Sequence, residues 1–322
     1  MIIYFDKEFT DYYLSKSAYI SKGDCFVNTL LTEYSEISVF IEGDNTQENY
    51  SNSYFRLRFN IGNDSRTFSI TSNFIQAIGS RINDNIALIF TGNKETNFGT
   101  GRRNLLYFNL DNYETKIESF LKSSSFKFII NKNNDWEKLN LTQYPLNLHL
   151  GDKIVILDPY IFSNYFTHKK DEYIENPFLK FLNKIVPEDT EVDIQVVTVT
   201  EEFDHKTKSL ISHRKSVNSI FEFLQDVFIP GSKMEVLDNG KSDRTSRYNF
   251  HDRNIFTNFF IIKVGIGFSD NHNDFTNSEV ECYSVFDKWG YDLIRHRKKM
   301  LSSYLGSIVR KPSRIQKWEF NA

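Results

Sequence analysis

The chain reads as an α/β protein in two parts, on three observations. Short apolar runs of strand length alternate with longer segments whose apolar residues recur at helical spacing. The alternation stops at an Asn-rich stretch without periodicity, "NKNNDWEKLNLTQYPLN", and then restarts. At 322 residues the chain can hold two ordinary domains. The division is expected within residues 131–150, giving an α/β or α+β domain over 1–140 and a second domain over 150–322. In the second, strands alternating with helices predict a mixed or parallel sheet with helices on both faces.

The first part opens with "MIIYF", a strand. "TDYYLSKSAYISKGDCFVNTLLTEY" has helical spacing, with a break expected at Gly23. "ISVFIEG" is a strand ended by a turn, and "YFRLRFNIG" alternates like a half-exposed strand. "TSNFIQAIGSRI" begins with an N-cap residue and reads as a short helix. "NIALIFTGN" is continuously apolar, as a strand buried on both faces must be. "NYETKIESFLKSS" is helical and "FKFIINKN" a strand. In the second part, "DKIVILDPYI", "EVDIQVVTVT" and "SKMEVLDNG" are strands. "NPFLKFLNKIV" is an amphipathic helix with Pro177 in its first turn. "SVNSIFEFLQDVFI" is a second helix. "YNFHDRNIFTN" and "NFFIIKVGIGF" form a pair of strands, and "WGYDLIRHRKKMLSSYLGSIV" a closing helix.

Composition narrows the function. A net charge of −3 excludes a generally basic protein, so any contact with nucleic acid or anionic lipid needs a local basic patch. The 30 phenylalanines point to an aromatic-rich core. Cys25 and Cys282 lack metal-ligand spacing and suggest neither a disulfide framework nor a zinc site. A reducing cytoplasm fits them. "MIIYFDKEFTD" has no basic region followed by a long apolar run, so no signal peptide is expected. The longest apolar stretch, "IFTNFFIIKVGIGF", is interrupted by Asn258 and Lys263 and is too short to span a bilayer. The abundance of Asn, Lys, Ile, Phe and Tyr is like that of chains from AT-rich bacterial genomes.

The stretch "RYNFHDRNIFTNFFIIKVGIGFSD", residues 247–270, carries the densest chemistry. His251 and Arg253 are two apart, so on a strand they share a face. Asn258 begins the next strand, where Lys263 follows. Gly265 and Gly267 clear side chains from one strip, as happens where a ligand approaches backbone closely. Arginine holds phosphate oxygens bidentately, and histidine can donate to them or attack phosphorus. Upstream, Asp158-Pro159-Tyr160 ends a strand, where sites form in α/β sheets.

This stretch resembles the phospholipase D superfamily, whose pattern is H-x-K-x4-D-x6-G-S-x-N. The chain reads His251-x-Arg253-x4-Asn258-x6-Gly265-Ile266-Gly267-Phe268. A nearer likeness is to the phospholipase-D-like C-terminal domain that accompanies microtubule-interacting-and-trafficking domains. It rests on the aspartate-proline-tyrosine strand end, "NPFLKFL", "VVTVT", and "HDR-x-I" followed by "I-x-K-x-G-x-G", over roughly residues 150–300. The resemblance implies a phospholipase-D-like mixed sheet and a phosphate site. His251 would be nucleophile or general acid, Arg253 would stand for the lysine, and Asn258 for the aspartate whose charge it lacks. Asp158, Tyr160, Arg247, Lys263, Gly265 and Gly267 would contact the ligand. No metal and no cofactor are implied. The trafficking-domain relatives bind phospholipid head groups rather than cleaving them. Neither His213-x-Lys215 nor His205 is followed by an aspartate at the required spacing, so a complete catalytic site would need a homodimer.

Three readings follow. The first is a phosphate-recognising module for a phosphodiester, nucleic acid before phospholipid, in a bacterial cytoplasmic setting such as a phage-defence or mobile-element system. The second is a homodimeric, metal-independent phosphodiesterase or nuclease using His251 of each chain. The third is a protein-interaction module with a vestigial pocket, its partner held by the N-terminal domain. Against all three stands a bland alternative: His251 and Arg253 are buried polar groups satisfied by Asp158 or another carboxylate. Likewise "RHRKK" (295–299) is either a solvated helix face or a phosphate patch. "GTGRRN" (99–104) reads as a loop, not a phosphate-binding one.

Overall fold

A computed structural model describes residues 1–16, 21–43, 66–78, 86–92, 104–122, 125–130, 153–158, 191–198, 201–204, 209–212, 232–238, 253–265, 278–309 and 315–319. The chain divides into two compact units. One comprises Met1–Lys122 with Phe286–Lys288, and the other Ser123–Val285 with Trp289–Ala322.

The first unit is built on a five-stranded parallel sheet: β1 (Ile2–Phe5), β2 (Ser38–Glu42), β3 (Thr67–Thr71), β4 (Ala87–Thr91) and β5 (Leu105–Asn109), in the order β3-β2-β1-β4-β5. The central strands β1 and β4 are buried along their whole length, which explains their unbroken apolar runs. Helix α1 (Lys7–Ser15) is N-capped by Asp6, whose Oδ1 accepts from Phe9 N at 2.7 Å. Helix α2 (Lys22–Thr32) is capped by Ser21, whose hydroxyl accepts from Asp24 N. The helical break expected at Gly23 therefore falls before Ser21, and Gly23 lies in α2's first turn. It is needed there for closeness: a Cβ on Gly23 would come 2.8 Å from the Glu114 Cα. At α2's other end Arg66, buried, donates to Leu31 O at 2.6 Å and Thr32 O at 3.0 Å, satisfying carbonyls the helix leaves open. Helices α3 (Phe74–Ile78) and α4 (Tyr113–Lys122) complete the described part. Phe5, Phe90 and Phe108 stack in series at 4.9 Å spacings, the aromatic core the composition suggests.

The second unit holds an eight-stranded mixed sheet. Its strands are β6 (Ser125–Ile130), β7 (Lys153–Leu157), β8 (Asp193–Thr198), β11 (Lys233–Asp238), β12 (Asn254–Phe256), β13 (Phe260–Val264), β14 (Ser278–Ser284) and β15 (Ile315–Glu319). They lie in the order β15-β11-β8-β7-β12-β13-β14-β6. Strands β7, β8 and β11 are parallel, and the remaining neighbours pair antiparallel. A separate hairpin joins β9 (Glu201–Asp204) to β10 (Ser209–Ser212), and α5 (Lys288–Val309) is the long closing helix. The α/β class expected from the sequence is what the molecule shows, with one parallel and one mixed sheet. The boundary differs from expectation. By sequence, "FKFIINKN" belongs to the first part because it precedes the Asn-rich stretch. Yet β6 pairs with β14 along its length, so the division falls after Lys122. The helices expected over "NPFLKFLNKIV" and "SVNSIFEFLQDVFI", and the strand "YFRLRFNIG", lie outside the described residues.

Candidate phosphate site

The hairpin β12–β13 builds the site. Thr257 N donates to Phe260 O at 2.9 Å, and the Thr257 hydroxyl accepts from Phe260 N at 2.9 Å. That fixes a tight turn with Asn258 and Phe259 at its centre. The register Asn254↔Lys263 leaves Arg253 at the open end, where its carbonyl accepts from Val264 N at 2.9 Å.

Arg253 is a strut. Its Nε lies 3.5 Å from Asp158 Oδ1, and its Nη1 donates to Gly265 O at 3.3 Å. Asp158 is buried at the carboxyl end of β7, its own N–H donating to Val197 O at 3.2 Å. The guanidinium thus joins the ends of β7 and β13. The expectation that a carboxylate, Asp158 in particular, satisfies Arg253 describes this geometry.

Around the same open end lies a partly open cavity of about 300 Å³, lined by Arg253, Asn254, Lys263, Val264, Gly265, Glu279, Glu281 and Arg297. That is the small end of ligand-pocket sizes, enough for one phosphate with its sugar. Three lining residues are cations and two are carboxylates. The carboxylates are engaged: Lys127 lies 2.7 Å from Glu279, and Lys263 Nζ lies 4.0 Å from Glu281. Tyr283 donates to Glu281 Oε2 at 2.8 Å. Burial first, and that hydrogen bond second, push the Tyr283 hydroxyl up to about 12.

Asn258 does not join this group. Turn formation carries it to the opposite end of the hairpin, five residues from Arg253, or roughly 16 Å at strand rise. There its Oδ1 accepts from Lys153 N at 3.2 Å and its carbonyl from Lys298 Nζ at 3.2 Å. It ties the turn to β7 and α5 and does not face the cavity. The expected strip of Arg253, Asn258 and Lys263 is therefore divided, because residue 258 makes the turn rather than starting β13. The run "RHRKK" is divided too. Arg297 lines the cavity, Lys298 reaches under the turn, and Arg295 lies 3.8 Å from Asp292. His251, Arg247, Tyr160 and Gly267 lie outside the described residues, as do His205 and His213. Glu279, Glu281 and Tyr283 were not singled out in the sequence. The alternation of "EVECY" was the signal that could have found them.

The first unit has a second focus that the sequence did not disclose. Its strand order reverses between β1 and β4, and in open parallel sheets the crevice at the strands' carboxyl ends there is where ligands bind. Asp6 follows β1 and Gly92 follows β4. Asp6 Oδ2 accepts from Gly92 N at 2.7 Å, so both of its oxygens serve backbone donors. Glu42 Oε2 accepts from Lys7 N at 3.0 Å. Burial, in the first place, raises the Asp6 pKa, with Glu42 and Glu8 adding repulsion. Asp6 and Glu42 thus hold the carboxyl ends of β1, β2 and β4 and the start of α1 together. Among the described residues no group of three or more His, Cys, Asp or Glu could hold a metal ion, and no helix is long and apolar enough to cross a membrane.

No protein-family model matches the chain, and no curated protein sequence matches it significantly.

Proposed function

We propose that the C-terminal unit recognises a phosphodiester through the cavity at the open end of the β12–β13 hairpin, and that nucleic acid is its ligand in preference to phospholipid. The observation that carries this is the gathering of Arg253, Lys263 and Arg297 around one 300 Å³ space. Gly265 adds no side chain to the wall, and its carbonyl orients Arg253. Lys263 and Arg297 are the phosphate contacts. Arg253, already braced by Asp158, supplies field and rigidity more than a movable fork. With an overall charge of −3, attraction to a polyanion rests on this local patch among the described residues, so binding is expected to be salt-sensitive and modest.

Binding of a fluorescein-labelled oligothymidylate at low salt, followed by anisotropy, tests the reading. The double variant Lys263→Ala, Arg297→Ala is expected to bind about tenfold more weakly or worse. Unchanged affinity in a variant that unfolds at the wild-type temperature contradicts it.

A further inference from the structure

We infer that the ligand is single-stranded, because an aromatic platform for one base adjoins the phosphate cavity. The inference rests on the phosphodiester reading and adds a base subsite made by Trp289 and Tyr283. Trp289 is 57 % exposed, more than any other large hydrophobic among the described residues. A lone exposed apolar side chain is ordinary. This one is not alone. Its ring meets the Tyr283 ring at 4.6 Å and 66°, an edge-to-face contact. The Tyr283 ring in turn has Lys263 Nζ over it at 5.0 Å, and its hydroxyl donates to Glu281. Lys263 and Glu281 are cavity wall. An unbroken series of contacts therefore runs from the cavity to the exposed indole.

The platform is fixed by its backbone. Trp289 is the second residue of α5, and the next residue, Gly290, lies so close to β14 that a Cβ would sit 2.3 Å from Ser284 O. Helix and strand end are held without a side chain between them, so the indole is presented preorganised. From Trp289 to Arg297 the helix rises about 12 Å, so stacking and phosphate contacts can fall on successive nucleotides of one strand.

Stacking on an aromatic face with cations alongside is how single strands are held without sequence choice. A duplex keeps its bases stacked on one another and offers no free face. A lipid surface would call for a contiguous apolar patch, whereas Trp289 is flanked by Lys288 and Tyr283 and lies one turn from Asp292.

The test compares two labelled strands of equal length on the full chain, oligothymidylate and an abasic strand with the same phosphates. Wild type is expected to bind the thymidylate about tenfold more tightly. In Trp289→Ala the difference between the strands disappears, and in Trp289→Phe most of it remains. Equal binding of both strands by wild type overturns the base subsite and leaves the phosphodiester reading standing. A difference that persists in Trp289→Ala does the same. Binding of neither strand removes both. Tighter binding to a duplex, or to phosphatidylserine vesicles in a Trp289-dependent way, also overturns the single-strand assignment.

Discussion

Arg253 illustrates how one residue can look like a ligand group and act as a brace. Its guanidinium spans from Asp158 to the Gly265 carbonyl, so Asp158→Asn leaves a cation with a weakened partner. The expected cost is roughly 1–3 kcal/mol, read from denaturant unfolding. Arg253→Ala is expected to lower stability similarly while weakening ligand less than Lys263→Ala does. Glu281→Gln should do the reverse, tightening oligonucleotide binding severalfold at low salt and not at high salt, because in the proposed site Glu281, 4.0 Å from Lys263 Nζ, would compete with phosphate for that cation. Lys298 gives a pH signature. Burial, then repulsion from Lys153, push its ammonium down to about 8, against roughly 10.4 in an unfolded chain. Between those values the unfolded state binds more protons. The penalty on stability is therefore full below about pH 8 and lifts as the pH rises towards about 10. Wild type should gain stability relative to Lys298→Met over that window in thermal melts. A pH-independent difference would show that Lys298 titrates normally.

At the scale of elements, two glycines set distances. Gly23→Ala places a methyl against the α4 backbone and should cost roughly 1–3 kcal/mol by forcing α2 and α4 apart. Gly290→Ala should lower the melting temperature and also erode discrimination between thymidylate and abasic strands, since it displaces the helix turn that carries Trp289. Elements with strong patterns were legible in the sequence. The buried runs of β1, β4 and β7 and the periodicity of α2, α4 and α5 need no context to be read. The β12–β13 hairpin was legible as a pair, but Asn258 lies in its turn and does not begin β13. Asn258 follows a Thr whose hydroxyl stabilises the turn, a cue weaker than Asn-Gly. Strands β3, β5, β9, β10, β14 and β15 were not foreseen. "TFSIT" is largely solvent-facing, and β14 carries Glu279 and Glu281 on its accessible face. Strands with one polar face are told from loops only by what they pair with.

At the scale of the whole molecule, the sequence showed two α/β parts but not their boundary, because the link from β6 to β14 spans some 150 residues of chain and leaves no local trace. Half of the candidate site was legible as residue types in one stretch. What gathered Lys263, Arg297, Glu281 and Trp289 was cross-strand register and the placement of α5, which a linear reading does not contain. On the proposed reading the second unit binds a single strand in a salt-sensitive way, with affinity from a local patch on a chain of net charge −3. The most direct test is the salt dependence of oligothymidylate binding in wild type and in Lys263→Ala, Arg297→Ala. Each phosphate contact on a single strand contributes about 0.7 to the slope of log affinity against log salt, so removing two should flatten it by about 1.4. An unchanged slope in the folded double variant would mean that the cavity does not hold phosphate.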